Sequence, residues 1–277
     1  MASSTMKAES GLQMLSRLSG CKGSSISNLQ PALFPSGLLQ PHQVIEFRGN
    51  EGSLSSRLCS HLLERCILPI SIGGLELDAI FIDTEHQLRI HHLASALEMT
   101  LRKGGLGRKE IQKSLKSALD HLVILQCFNS TQLLSCMHSL PQLIRSRQSK
   151  VGLVVVDSPA SYYQSDLLFE VNANNAKVSK EHYLADILSP LLSSEINQLN
   201  IVLAFTLPMS YKRSFVASNL PNKSYSVYTK PAEEASSSDT GNDNECYQVI
   251  LYKGKDFVHQ TSFSLVKNEL IWEGQTG

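Results

Sequence analysis

Six residues in three places have the types and spacing for phosphate chemistry: Gly49, Gly52, Ser55 and Ser56 after one apolar run, Glu85 after a second, and Asp157 closing a third. The stretch 44–56, VIEFRGNEGSLSS, has the outline of a phosphate-binding loop, with a strand-like run leading into glycines and then an amphipathic segment. A working loop reads G-x-x-x-x-G-K-[ST]. Counted from Gly49, the sixth position is Leu54 and the seventh is Ser55, and only the eighth, Ser56, keeps its expected type. The glycine of such a loop lets backbone N–H groups turn inward around phosphate oxygens, which a side chain obstructs. The lysine sets a cation on the β- and γ-phosphates, about 4 kcal/mol gross at 4 Å and an effective dielectric near 20. Losing half of that costs more than tenfold in affinity. Helix-terminus amides attract an anion only weakly. The expectation is that no cofactor is held tightly; ATP and magnesium enter only if the altered loop still grips them, with Ser56 and Asp157 as the vestigial magnesium side.

The other candidates are read against that loop. Asp157 ends VGLVVVD, where an acid orients the water shell of magnesium, or else simply caps a turn. Glu85, in FIDTEH, is placed to polarise a water, but a base without a held phosphate has nothing to act on, so no catalytic residue is assigned. Asp83 reads as a cap for the next helix or a partner for loop backbone. His86, His91 and His92 do not give the i, i+4 face of a zinc helix, and H-E-x-x-H is absent, so no metal is assigned. Ser158 and Ser161 lack a G-x-S-x-G elbow, and Tyr162 and Tyr163 read as core or interface packing residues in preference to rings that stack on a base.

These residues need a scaffold. Near-continuous apolar runs at 43–48, 78–83, 122–126, 151–157 and 200–206 read as strands covered on both faces. Between them, 55–67, 87–103, 108–120, 130–147 and 178–198 carry helix-spaced Leu, Ile and Ala. The alternation argues for a doubly wound, mostly parallel α/β sheet. The segment 7–19 reads as a short helix, the second half of 219–246 as a flexible polar excursion, and 247–252, 257–266 and 270–272 as C-terminal strands that extend the sheet. Residues 1–40 form an N-terminal helix and linker on this reading, and 41–277 the core, with a polar insert near 230–246.

Twenty-five basic and 25 acidic side chains cancel, so there is no global drive toward nucleic acid, though a local basic patch is allowed. Six cysteines show neither a C-x-x-C pair nor zinc-finger spacing and lie mostly in apolar runs, as reduced intracellular thiols do. No run approaches the about 18 apolar residues of a membrane span.

In their order, the loop-like turn, FIDTE, VVVDS and the late strand resemble the core of RecA-type recombinases, and more narrowly the eukaryotic recombinase paralogues. The stretches that carry the resemblance are AESGLQMLSRL (8–18), VIEFRGNEGS (44–53), RCILP (65–69), GGLELDAIFIDTE (73–85) and FSLV (263–266). It is dense over 8–100, weaker through 210 and thin beyond. It implies a RecA-like fold and a nuclear role in homologous recombination repair of DNA double-strand breaks. It further implies a place in a heteromeric paralogue complex, docked on the D-type recombinase paralogue, which assists the main recombinase on single-stranded or branched DNA. In that pattern Gly49, Gly52 and Ser56 match surviving loop positions, Glu85 the base and Asp157 the magnesium acid. Leu54 and Ser55 depart from it, as does Pro208, near where recombinases usually carry a γ-phosphate-sensing glutamine.

Three functions follow. The first is a non-catalytic structural subunit. The second is a DNA-dependent ATPase that borrows Arg48 or Arg57 as its cation and is completed by a partner. The third, a dinucleotide- or S-adenosylmethionine-dependent enzyme, is disfavoured because G-x-G-x-x-G is absent and Asp83 stands too far from the glycines.

Overall fold

The structure, a computed structural model, describes residues 26–35, 38–49, 52–174, 179–192, 199–210, 214–220, 223–232, 245–266 and 269–273. The expected helix at 7–19 lies outside them.

The strands are β1 (Val44–Gly49), β2 (Asp78–Asp83), β3 (Leu122–Gln126), β4 (Val151–Asp157), β5 (Val202–Pro208), β6 (Ser224–Pro231), β7 (Glu245–Lys253), β8 (Asp256–Val266) and β9 (Glu269–Trp272). They form one sheet in the order β3-β2-β4-β5-β1-β6-β7-β8-β9. Every pairing from β3 across to β6 is parallel, and those from β6 to β9 are antiparallel. The helices are α1 (Gly52–Ile67), α2 (Ile90–Lys103), α3 (Arg108–Asp120), α4 (Ser130–Ser146), α5 (Tyr163–Asn174), α6 (Lys180–Leu192) and α7 (Phe215–Asn219). This is the α/β fold with a mostly parallel, doubly wound sheet and C-terminal β-strands that the apolar runs predict.

The reason lies in how successive residues divide between two cores. Along β2, Ala79 and Phe81 enter one cluster, and Ile80 and Ile82 the other. In β4, Leu153 and Val155 oppose Val154 and Val156 in the same way. A period-2 chain that is apolar at every position can be satisfied only with helices on both faces. One face is covered by α1, α2 and α3 through Leu54, Leu58, Leu62, Leu97 and Ile111. The other is covered by α4, α6 and α7 through Leu133, Met137, Leu188 and Phe215. Each such fully buried side chain contributes about 1.5–3 kcal/mol.

Helix α1 begins at Gly52, three residues before the apolar period suggests, so Leu54 and Ser55 belong to its first turn. It ends at Ile67 ahead of Pro69, which cannot continue a helix. The returning chain packs on that end, with Leu75 N donating to the Arg65 carbonyl and Leu77 N to the Cys66 carbonyl, both at 3.0 Å. Gly74 is required there, because a Cβ on it would lie 2.0 Å from the Leu68 oxygen.

Several elements escape the sequence reading, among them α5, α7 and β6. Lys230 and Pro231 close β6, and Glu245 and Cys246 open β7, so the polar insert narrows to 233–244, outside the described residues. Segment 26–39, read as linker, puts Leu29, Leu33, Phe34 and Leu39 into the same core as β6 and β7. There Phe34 meets Tyr225 edge-on at 5.6 Å, and the Tyr225 hydroxyl donates to the Leu38 carbonyl at 2.8 Å. Cys59, Cys66 and Cys127 are buried free thiols, while Cys136 and Cys246 are half-buried. No helix among the described residues is long and apolar enough to cross a membrane.

Candidate functional site

The C-terminal ends of β1, β2, β4 and β5 and the first turn of α1 meet at one edge of the sheet, where α/β folds of this kind hold their ligands. Parallel register sets Asp83 beside Asp157, and Gly49 beside both Pro208 and Thr229. Gly49 is therefore the last residue of a central strand, with Gly52 opening α1.

Asp157 is 2% exposed and heavily engaged. Thr206 Oγ1 donates to its Oδ1 at 2.5 Å, and Ser56 hydrogen-bonds it from α1. Burial raises its pKa, the charges of Glu85 and Asp83 raise it further, and the Ser56 and Thr206 hydrogen bonds pull the other way. Asp83 is equally buried, and its Oδ1 has no hydrogen-bond partner among the described residues. It does not cap a helix, because α2 starts only at Ile90, with Arg89 at the N-cap.

Thr84 stitches these strand ends together. Its N–H donates to the Asp157 carbonyl at 3.0 Å. Its hydroxyl accepts from Ser158 N at 2.6 Å and lies 2.8 Å from the Asp157 carbonyl. Glu85 is exposed, and Ser161 Oγ donates to its Oε1 at 2.6 Å. Tyr162 donates to the Thr84 and Cys127 carbonyls, and Tyr163 packs on Tyr183 at 5.4 Å, so both tyrosines are structural. Neither Thr84 nor Thr206 stands out in the sequence, since a threonine at the end of an apolar run looks like any strand former. Their only signal is position, one directly after Asp83 and the other two residues before Pro208.

The altered positions of the loop are filled by packing. Leu54, where a glycine would be, is 4% exposed and part of the core under α1. Ser55, where a lysine would be, is 2% exposed, and its Oγ has no partner among the described residues. Of the two substitute cations, Arg48 is engaged by its neighbours. Arg48 is 2% exposed, with its Nε 3.3 Å from Glu46 Oε1 in an ion pair that lacks hydrogen-bond alignment. It also donates to the Tyr228 hydroxyl at 3.0 Å and lies over that ring, 5.2 Å from its centroid. Glu46 in turn accepts from Ser214 Oγ and Val216 N, which fixes α7 to β1. Arg48 is thus occupied behind the loop. Arg57 is exposed; the pKa of His92 is lowered first by desolvation, then by the charges of His91, Arg89 and Arg57. His86 stacks on Phe128 at 4.6 Å. Among the described residues no group of three or more His, Cys, Asp or Glu side chains is arranged to hold a metal ion.

At these strand ends Asp83 and Asp157 are thus buried, and Glu85 is exposed. One consequence is testable by unfolding. A buried acid with a raised folded-state pKa destabilises the protein at every pH above that pKa, and at no pH below its unfolded value. Asp157→Asn keeps the acceptor for Thr206 and lets Ser56 reverse its hydroxyl, so the variant is expected to be more stable than the parent near neutrality. The gain should shrink to nothing as the solution is acidified. Urea melts at neutral and acid pH read it, and a variant less stable at neutrality would contradict the site as described.

Residues 29–206 match the Rad51 family. The chain is 38% identical over 167 residues to DNA repair protein XRCC2 of Mus musculus, an overlap of 60% of this chain and 57% of that protein. It is 29% identical over 185 residues to DNA repair protein RAD51 homolog 3 of Cricetulus griseus, covering 60% and 50%. With DNA repair protein rhp57 of Schizosaccharomyces pombe it shares 33% identity over 131 residues, covering 46% and 35%. The chain thus spans about half the length of these first two relatives. The matched region runs from Leu29, in the segment now seen packed on the core, through β1, the loop position, β2 and β4 to Thr206 in β5, two residues short of the end of that strand. A shared core of that extent decides the classification: the chain belongs to the Rad51 family.

Proposed function

We propose that this protein is a non-catalytic structural subunit of a recombinase-paralogue complex that supports homologous recombination repair of DNA double-strand breaks. In this reading it works in the nucleus, docks on the D-type recombinase paralogue, and reaches the main recombinase and single-stranded or branched DNA through the complex. Its relatives are DNA repair proteins of the Rad51 type, which supports the setting. One observation carries the non-catalytic role: Leu54 and Ser55, at the glycine and lysine positions of the loop, are built into the first buried turn of α1. Gly49, Gly52, Ser55, Ser56 and Asp157 keep the outline of a nucleotide site, while Glu85 keeps the place of a base with no phosphate to serve. Ser56 hydrogen-bonds Asp157 across what would be the magnesium side of that site.

The test is co-expression with the D-type paralogue, followed by size-exclusion chromatography with and without ATP–magnesium. The expected result is one co-eluting complex whose elution ignores nucleotide, and a free chain that shows no saturable ATP binding at millimolar nucleotide. Micromolar ATP affinity, in the free chain or only in the complex, would replace this reading with an ATPase completed by its partner.

A further inference from the structure

The chain is neutral overall, yet its charge is unevenly spread. Between 102 and 116 it carries Arg102, Lys103, Arg108, Lys109, Lys113 and Lys116 against a single acid, Glu110. Screening over about 8 Å at physiological salt means that a ligand on this surface feels those cations and not the acids across the molecule.

The structure arranges part of this run in a line. On α3, Lys109, Lys113 and Lys116 are exposed at i, i+4 and i+7, one stripe of the helix. The opposite side, Ile111 and Ala118, is buried on the sheet. Glu110 lies off the stripe, its Oε2 accepting from Gly107 N at 3.1 Å. Asp120 closes the same stripe one turn beyond Lys116, so the cationic part of this face is the run from Lys109 to Lys116. Arg102 is engaged by Glu98 at 2.6 Å and stands apart from the stripe. The turn before α3 passes through Gly105 at φ +78°, where only open space surrounds the Cβ position, so no side chain there fends off a ligand.

The arrangement works against the helix itself. Arg108 and Lys109 stand at its positive end, where acids are favoured, and lysines three and four residues apart repel one another. A local rule broken without an internal gain is what a binding surface looks like. The rise of a helix spaces the three lysines by about 6 and about 4.5 Å, a span of about 10.5 Å. One strand of duplex DNA offers a phosphate per about 3.4 Å of axis. Because the strand winds around that axis, its neighbouring phosphates stand farther apart than the rise, so the flexible four-carbon stems of the lysines supply the reach to meet three of them. No aromatic ring is interleaved with the lysines, which suits backbone contact rather than base reading.

We propose that the Lys109–Lys113–Lys116 stripe of α3 is a nucleic-acid backbone site that contacts three successive DNA phosphates without regard to sequence, away from the strand ends that form the vestigial nucleotide site. The choice of DNA over an acidic protein rests on the repair reading; the stripe itself does not. The experiment is fluorescence anisotropy of a labelled random-sequence duplex with the full chain between about 50 and 200 mM salt. Variants are Lys109→Gln/Lys113→Gln/Lys116→Gln and the matching triple arginine change. Exposed helix positions tolerate all of these residues, and circular dichroism verifies the fold.

The glutamine variant is expected to bind at least tenfold more weakly at low salt, with its salt slope reduced by about 2.7, while the arginine variant keeps both. Unchanged affinity and slope would overturn the proposal. So would a labelled poly-glutamate peptide that binds the same lysines as tightly as the duplex, since the occupant would then be an acidic protein. The repair reading stands or falls on co-elution with the paralogue, which this assay does not touch, so the two failures are told apart.

Discussion

Restoring the missing loop residues, as Leu54→Gly with Ser55→Lys, will destabilise the protein without restoring ATP binding. Leu54 is 4% exposed within the core under α1. Truncating a buried leucine to alanine costs about 2–5 kcal/mol. Glycine in place of alanine within a helix adds about 0.5–1 kcal/mol. A lysine at 55 must then carry its ammonium out of a position where the serine is 2% exposed, or leave it buried at greater cost. Against a domain stability of about 5–15 kcal/mol, that loss is a large fraction of the whole. Urea unfolding should show a much lower midpoint, and ATP–magnesium should not raise it. A double variant with the parent midpoint and ATP-dependent stabilisation would show that the cradle survives and that the packing of Leu54 is incidental.

The second large effect is expected at the opposite end of the sheet. Asp78 opens β2 and is fully buried. It takes His121 Nδ1 at 2.7 Å and Arg147 Nε at 2.7 Å, joining the starts of β2 and β3 to the connection between α4 and β4. Burial alone would raise its carboxyl pKa, but hydrogen bonds from Ser149, His121 and Arg147, with the Arg147 charge, outweigh it and hold the group below its ordinary value. A depressed acid contributes stability that is complete above its unfolded pKa, about 3.9, and is lost as pH falls through the folded value. Asp78→Asn removes the carboxylate that both partners share and leaves the Arg147 guanidinium without its counter-charge. Because His121 and Arg147 reach solvent, the loss belongs at the lower end of the about 3–5 kcal/mol typical of a broken buried pair. Urea midpoints for parent and variant should lie far apart at neutral pH and converge from about pH 4 downward. Parallel curves, or no gap at neutrality, would mean that the cluster does not hold the strands.

How much of this was readable from the chain follows from where polar groups are buried. The five core strands are legible because all-apolar runs have one solution, a sheet covered on both faces. β6 is not, because Ser224 and Ser226 look like solvent residues but are buried, with Ser226 hydrogen-bonded to Ser214 at 2.7 Å. Helix α5 lacks a one-sided apolar stripe and so gives no period to read. Within the site, Gly49, Ser56 and Asp157 follow from motif spacing. The roles of Thr84 and Thr206 depend on which strands are neighbours, and the sheet order β2-β4-β5 is not written in any single segment. The reading of Asp83 as a cap fails for a local reason: six residues separate it from α2, too many for its carboxylate to reach the first free N–H groups.

The position of β1 has one more consequence. It is flanked by parallel partners on both sides, β5 and β6, and covered by α1 and α7. Its peptide groups can trade their protons for solvent deuterium only when much of the molecule opens, so β1 should be among the slowest-exchanging stretches of the protein. Gly49, the strand's last residue, is therefore carried by one of the stillest parts of the molecule.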